Sequence, residues 1–153
     1  MANEITVVIS LGINNTASTP PGNVQYQNRD TGWRANMLGN NGPTPGTVLV
    51  PTKGVNINFA ELTGMGGVCR MKNLDPSNFV TWGMFDSITN KFYPLGEMLP
   101  GESYVIRLSR DLGQQYGTGS GTGSGSHLPG GNEFLHMRAD IAACRVLVEA
   151  FDP

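Results

Sequence analysis

Residues 68–110 constrain this chain more than any other stretch, because three turns of different chemistry divide four apolar runs there. Asp75–Asn78 suits a type I turn: Pro76 fixes φ at the second position, and the side chains of Asp75 and Asn78 can bond back to nearby amides. Ser87–Asn90 breaks the apolar pattern a second time. At Leu99–Glu102, Pro100 followed by Gly101 supplies the fixed φ and then the positive φ of a type II turn. Three reversals in succession predict an antiparallel meander of four strands. None of its residues forms a catalytic constellation, so the stretch reads as part of a small all-β building block and not of an enzyme.

The flanking sequence keeps the same period. From Glu4 to Leu11, the apolar residues Ile5, Val7, Ile9 and Leu11 alternate with Glu4, Thr6, Val8 and Ser10, the pattern of a half-buried strand. Val24–Tyr26 predicts a short edge strand. Residues 29–46 hold Gly32, Gly39, Gly42, Pro43, Pro45 and Gly46, a density of breakers that predicts a long loop. Within it Trp33, Met37 and Leu38 would fold over one end of the core, or leave Trp33 exposed as an anchor for another chain. Residues 46–51 predict a strand, and Val55–Leu62 another with Val55, Ile57 and Phe59 inward. In the last strand of the meander Tyr104, Ile106 and Leu108 would face the core. Glu133–Ala139 and Ala142–Phe151 predict two closing strands, the second with an inner row of Cys144, Val146 and Val148. No stretch shows helical periodicity. Roughly eight to ten short strands separated by turns fit an all-β fold, an antiparallel β-sandwich with long Gly/Pro-rich loops, for which a jelly roll is the expected winding.

Length and charge bound the rest. At 153 residues the chain fits a single domain, 1–153, with an insert at 113–131, and can bury about 68–70% of the surface its unfolded form exposes. Charged residues make up 14% of it, well below the ~25% of ordinary globular domains, and the net charge is −2. No basic cluster supplies the footprint of a nucleic-acid or membrane-surface binder, and no apolar run is long enough to span a bilayer. The first residues place an acidic side chain before the apolar run and lack the basic segment of a signal peptide. The glycosylation-type pattern Asn14–Thr16 is therefore expected to be unused. Cys69 and Cys144 fall in separate strands and are expected to be reduced, buried thiols that behave as small apolar side chains.

Between 113 and 131 the sequence turns to low complexity, with only Gly, Ser and Thr from Gly117 to Ser126. Ordering such a tract costs roughly 1–2 kcal/mol per residue, with no side chain to bury in return. An ordered tract would have to be held by a neighbouring chain. Reactive chemistry is hard to place elsewhere. His127 and His136 are too few for a His-based metal centre, and His136 and Asp140 stand four apart on an extended segment, about 13 Å. The Gly-Ser-Gly matches to a nucleophile elbow at Ser120 and Ser124 follow from composition and lack the strand and helix that would aim a hydroxyl. Nor does a Lys accompany these glycines to make a phosphate cradle. Glu97 and Glu102 flank a turn and read as solvated. Neither a cofactor nor a metal is expected.

Three runs, taken in order, resemble small virion structural proteins of tailed bacteriophages: Lys72–Gly83 (KNLDPSNFVTWG), Phe92–Arg110 (FYPLGEMLPGESYVIRLSR) and His136–Asp152 (HMRADIAACRVLVEAFD). An Asn-Leu-Asp turn leading into Asn-Phe-Val, a Pro-Gly-Glu turn and a closing Ala-Asp to Cys-x-Val strand recur in this order in such chains. The resemblance covers the second half of the sequence, without the insert. It implies a phage particle component with no catalytic activity, and within that class a capsid decoration, or cement, protein that stabilises the capsid. Its partners would be the major capsid protein and its own copies in a homotrimer, with no nucleic acid and no membrane. Its place would be the virion surface, after synthesis in the bacterial cytoplasm. Contacts are then expected from Ile5 and Val7, from Trp33, and from Tyr116, Gly119, Gly121, Gly123 and His127 in the insert. Two other readings stand beside this one. The first is a tail, collar or fibre-adaptor protein of the same virion; the second is a carbohydrate-binding sandwich that stacks sugars on Trp33, Trp82 or Tyr116.

Overall fold

The computed structural model describes residues 3–14, 24–37, 41–110, 112, 114–115, 128–129 and 133–153, and among these there are twelve strands and no helix. The chain divides into two compact units, Met1–Asn36 and Met37–Pro153.

In the first unit, β1 (Asn3–Asn14) pairs with β2 (Val24–Met37) as a two-stranded sheet. Burial follows the alternation expected of β1: Glu4, Thr6 and Val8 are exposed, Ile5 is half-buried and Val7 is buried. β2 departs from expectation. Arg29–Met37, read as loop from its breakers, continues the strand begun at Val24. The prolines of that stretch all come after Met37, and Gly32 removes a side chain but leaves its backbone donor and acceptor available to a ladder. Trp33 is accordingly a half-buried strand residue.

The second unit is built on two four-stranded antiparallel sheets. One has the order β3 (Thr44–Val50), β12 (Cys144–Ala150), β5 (Val68–Asn73), β8 (Ser103–Arg107). The other has the order β4 (Val55–Asn56), β11 (Glu133–Ala139), β6 (Val80–Asp86), β7 (Lys91–Met98). Period-2 alternation turns one row of each strand inward. Met71, Val146 and Val148 of the first sheet thus share a core with Val80, Met98 and Met137 of the second, each fully buried. This is a β-sandwich. A short ladder of β9 (Gln114–Gln115) with β10 (Leu128–Pro129) closes the base of the insert.

Two expectations need correction. The four strands of 68–110 are present, but they do not form a meander. Only β6 and β7 pair with each other across their turn; β5 and β8 pair with each other in the opposite sheet. The turns at 74–79 and 99–102 therefore carry the chain from sheet to sheet. The second correction concerns Val55–Leu62. Ile57 and Phe59 are buried and Asn56, Asn58 and Ala60 exposed, as alternation requires, but the strand stops at Asn56. Asn58 ends it: its side-chain oxygen accepts the Ala60 amide at 2.9 Å, a local bond that competes with the ladder. By contrast, Pro45 is tolerated inside β3 because that strand lies at a sheet edge.

Cys69 and Cys144 are both buried and free. Cys69 lies opposite Ala150, six residues along β12 from Cys144, so the thiols are about 20 Å apart and cannot bridge. Burial, with the Glu149 charge adding to it, pushes the Cys69 thiol up to about 12. Burial likewise raises Cys144, reinforced by Asp75 and Asp140.

Where β5 begins, backbone packs on backbone. The Leu108 amide donates to the Gly67 carbonyl and the Phe151 amide to that of Val68, both at 3.0 Å. A Cβ on Gly67 would lie 1.8 Å from the Phe151 carbonyl oxygen. Gly67→Ala is expected to destabilise the sandwich by about 1–3 kcal/mol, measured as a lower urea midpoint with an unchanged m-value.

Candidate interaction surface

Because neighbouring strands are antiparallel, the turns 51–54, 74–79, 99–102 and 140–143 all fall at one end of the sandwich. A single buried side chain ties two of them together. Asn73, with no solvent exposure, donates from Nδ2 to the carbonyls of Asn78 at 2.8 Å and Met98 at 3.1 Å. Its Oδ1 accepts the Asp75 amide at 3.0 Å, and its own amide donates to the Glu102 carbonyl at 2.9 Å.

Each turn is then finished by the chemistry read from the sequence. Asp75 Oδ1 accepts the amides of Ser77 and Asn78 at 2.9 and 2.7 Å. Those bonds, the Asn78 amide first, hold its carboxyl below the usual carboxylate range. In the type II turn Gly101 has φ +79°, the Glu102 amide donates to the Leu99 carbonyl at 3.0 Å, and the Glu102 carboxylate accepts the Leu99 amide at 2.8 Å. Glu102, read as simply solvated, thus closes its own turn.

These turns hold apolar side chains outward. Leu74 is 44% exposed, Leu99 50% and Ile141 83%, and Leu49, one residue before the end of β3, is 62% exposed. Scattered exposed apolar residues are ordinary; several gathered by rigid turns at one end are the kind of surface that marks a contact. The available signal was an apolar residue directly beside a strong turn former, Leu74 before Asp75-Pro76 and Leu99 before Pro100-Gly101.

At the opposite end lie the turn 87–90, the segment 57–67 and the base of the insert. Asp86 accepts the Ile88 amide at 2.8 Å and the Thr89 hydroxyl at 2.5 Å, which pins the β6–β7 hairpin. The Thr89 bond is the largest contribution that holds the Asp86 carboxyl below its usual range. A cleft of about 300 Å³ opens where residues 56–60 leave β11, lined by Ile57, Phe59, Met65, Leu112, Phe134 and Leu135 with Asn56 and Asn58. Among the described residues no ionisable group lines it.

Of the residues expected to make contacts, Ile5 and Val7 lie on β1 and Trp33 on β2, all in the first unit. Tyr116, Gly119, Gly121, Gly123 and His127 lie outside the described residues. Trp82 points inward and is buried, its ring tilted against Tyr104 with centroids 5.9 Å apart. The exposed tyrosines Tyr93 and Tyr104 sit on β7 and β8, edge strands of different sheets. Among the described residues no group of three or more His, Cys, Asp or Glu side chains is placed to hold a metal ion. Comparison with protein-family models, curated proteins and solved structures gives no match to this chain.

Proposed function

We propose that this chain is a non-enzymatic structural protein of a tailed-phage virion, a capsid decoration protein that binds the outer face of the major capsid shell as a homotrimer. One observation supports this reading above the others. The three runs that resemble phage structural proteins contribute the turns 74–79, 99–102 and 140–143, and all three turns lie at the same end of the sandwich, where Leu74, Leu99 and Ile141 face solvent. A motif set that serves one turn-built apolar surface is what a docking protein needs, since its specificity comes from a rigid patch and its strength from repetition over many copies.

The winding is compatible with that role. Counting the eight sandwich strands along the chain, the orders are 1-8-3-6 and 2-7-4-5, which we read as the two interlocked Greek keys of a jelly roll, a fold that viral capsid domains share with lectins and cupins. Low charge suits a contact that must hold across a wide range of salt, because an apolar patch is little affected by screening. The sugar-binding reading is weakened by the inward position of Trp82. The tail or collar reading uses the same surface at lower copy number.

The test is the triple variant Leu74→Ser, Leu99→Ser, Ile141→Ser. These side chains are exposed, so the unfolding midpoint of the isolated protein is expected to stay within about 0.5 kcal/mol of the parent. Copies retained per purified particle are expected to fall at least tenfold, because losing roughly 1–2 kcal/mol at each of several contact residues is multiplied across the subunits of an oligomer. Unchanged occupancy would exclude this end as the docking surface.

A further inference from the structure

On the outer face of the second sheet, His136 sits in a site made for a neutral imidazole. It is 8% exposed, it stacks on Phe85 at 5.0 Å and 24°, and Phe92 closes it in at 5.0 Å and 55°. Its Nδ1 lies 2.7 Å from Oδ1 of Asn56, so the Nδ1–H tautomer donates to that amide. Gly54, with φ +86°, passes directly over Nε2, and a Cβ there would come within 2.1 Å of it. Asn56 and Gly54 belong to β4 and the turn before it. Its other backbone ties to β11 are few, two residues in register, the Ile57 amide on the Leu135 carbonyl at 2.8 Å and the Ala139 amide on the Pro51 carbonyl at 3.2 Å, beside the packing of Val55 and Ile57 on the core.

We propose that His136 and Asn56 form an acid-sensitive latch that holds β4 on β11, and that protonating the imidazole releases β4 and turns β11 into an open sheet edge. The Asn56 bond itself survives protonation, since Nδ1–H donates in both states; the added proton goes to Nε2, over which Gly54 passes, and among the described residues no carboxylate pairs with the ring. On β11 the same-face neighbours are Phe134 and Arg138; on β6 it is flanked by Thr81, Gly83 and Phe85, on β7 by Phe92 and Pro94, and on β4 by Asn56. The turn before β4 adds Lys53, and Glu97 lies across from Thr81 in the row of Arg138. Asp86 at the end of β6 is already engaged by Ile88 and Thr89. Burial, with Arg138 adding to it, lowers the His136 pKa below its ordinary value. The unfolded or unlatched form therefore binds the proton more tightly. The latch is fully closed above about pH 6.5, the ordinary histidine value, and loosens as pH falls through that value toward the lower folded one. An edge of β11 freed in this way presents unpaired amides and carbonyls to any strand of another copy.

Hydrogen exchange of the full chain tests this. After correction for intrinsic rates, the amides of Val55 to Ile57 are expected to lose protection several-fold between pH 7.5 and 5.0, while those of Val146 and Val148 on β12 keep theirs. In His136→Gln, which keeps a neutral donor, the difference between the two pH values should vanish. Equal protection at both pH values in the parent, or the same loss in the glutamine variant, would overturn the latch. Should the variant fold poorly, an NMR titration of the parent decides: the Ile57 amide shift is expected to track the His136 ring titration, and an Ile57 signal indifferent to it is contradictory.

Discussion

Replacing Asn73 by alanine is expected to lower the stability of the sandwich by roughly 3–5 kcal/mol, the largest effect of any single polar substitution in the turn end. Each of its three side-chain hydrogen bonds serves a main-chain group, the buried carbonyl of Met98 and the partly buried carbonyl of Asn78 and amide of Asp75. Truncation leaves all of these unsatisfied, and an orphaned buried polar group costs about 1–3 kcal/mol. It also uncouples the β5–β6 turn from β7, so the loss should appear both as a lower urea midpoint and as faster hydrogen exchange across 74–79. Asn73→Asp is the informative companion, since it keeps the shape and the acceptor but removes both donated bonds. It should recover little of the loss.

The second large effect concerns Asp152. The side chain is 2% exposed; Oδ1 accepts the Thr63 amide at 2.8 Å, and Oδ2 accepts the Thr63 hydroxyl at 2.9 Å and the Asn41 amide at 3.2 Å. Its own amide donates to the Asn41 carbonyl at 3.0 Å. Burial is the largest single influence on its carboxyl and would raise its pKa; the bonds from Thr63, Asn41 and Gly64 together outweigh it and hold the group below the usual carboxylate range. Charged hydrogen bonds contribute roughly 1.5–3 kcal/mol each before the burial cost is set against them, so Asp152→Ala is expected to destabilise by roughly 3–4 kcal/mol at pH 7. The folded carboxyl has the lower pKa, so its contribution is complete above the ordinary aspartate value near 4 and is lost as pH falls through that value toward the folded one. Parent and variant unfolding curves should therefore converge at acid pH. A gap that persists unchanged at pH 2.5 would count against the charge as its source.

What could be read from the sequence follows from how local each cause is. The turns at Asp75, Ser87 and Pro100 are set by residues inside them, and their strands stand where expected: β11 has the expected bounds, and β12 starts within a few residues of them. Pairing is non-local, and there the reading failed. A turn of good chemistry connects neighbours in one sheet as readily as it crosses between two, so residues 68–110 alone do not distinguish a meander from the partnership of β5 with β8 and β12. The same limit explains Asn73 and Asp152. Their side-chain partners lie up to 25 and 111 positions away, and nothing in an isolated asparagine or aspartate declares that it will be buried. For the contact surface, Leu74 and Leu99 carried a local signal in their position beside turn formers, whereas Leu49 and Ile141 become part of it only because antiparallel pairing brings their ends together.

Imaging of native particles at a resolution that traces strands tests the account most directly, by counting copies of this chain and showing which end of the sandwich meets its neighbour. The account predicts trimers on the outer shell, on the order of hundreds of copies per particle as multivalent docking requires, with the end bearing Leu74, Leu99 and Ile141 against the capsid surface. A dozen or fewer copies, confined to the tail or collar, or a shell contact made through the opposite end, would contradict it.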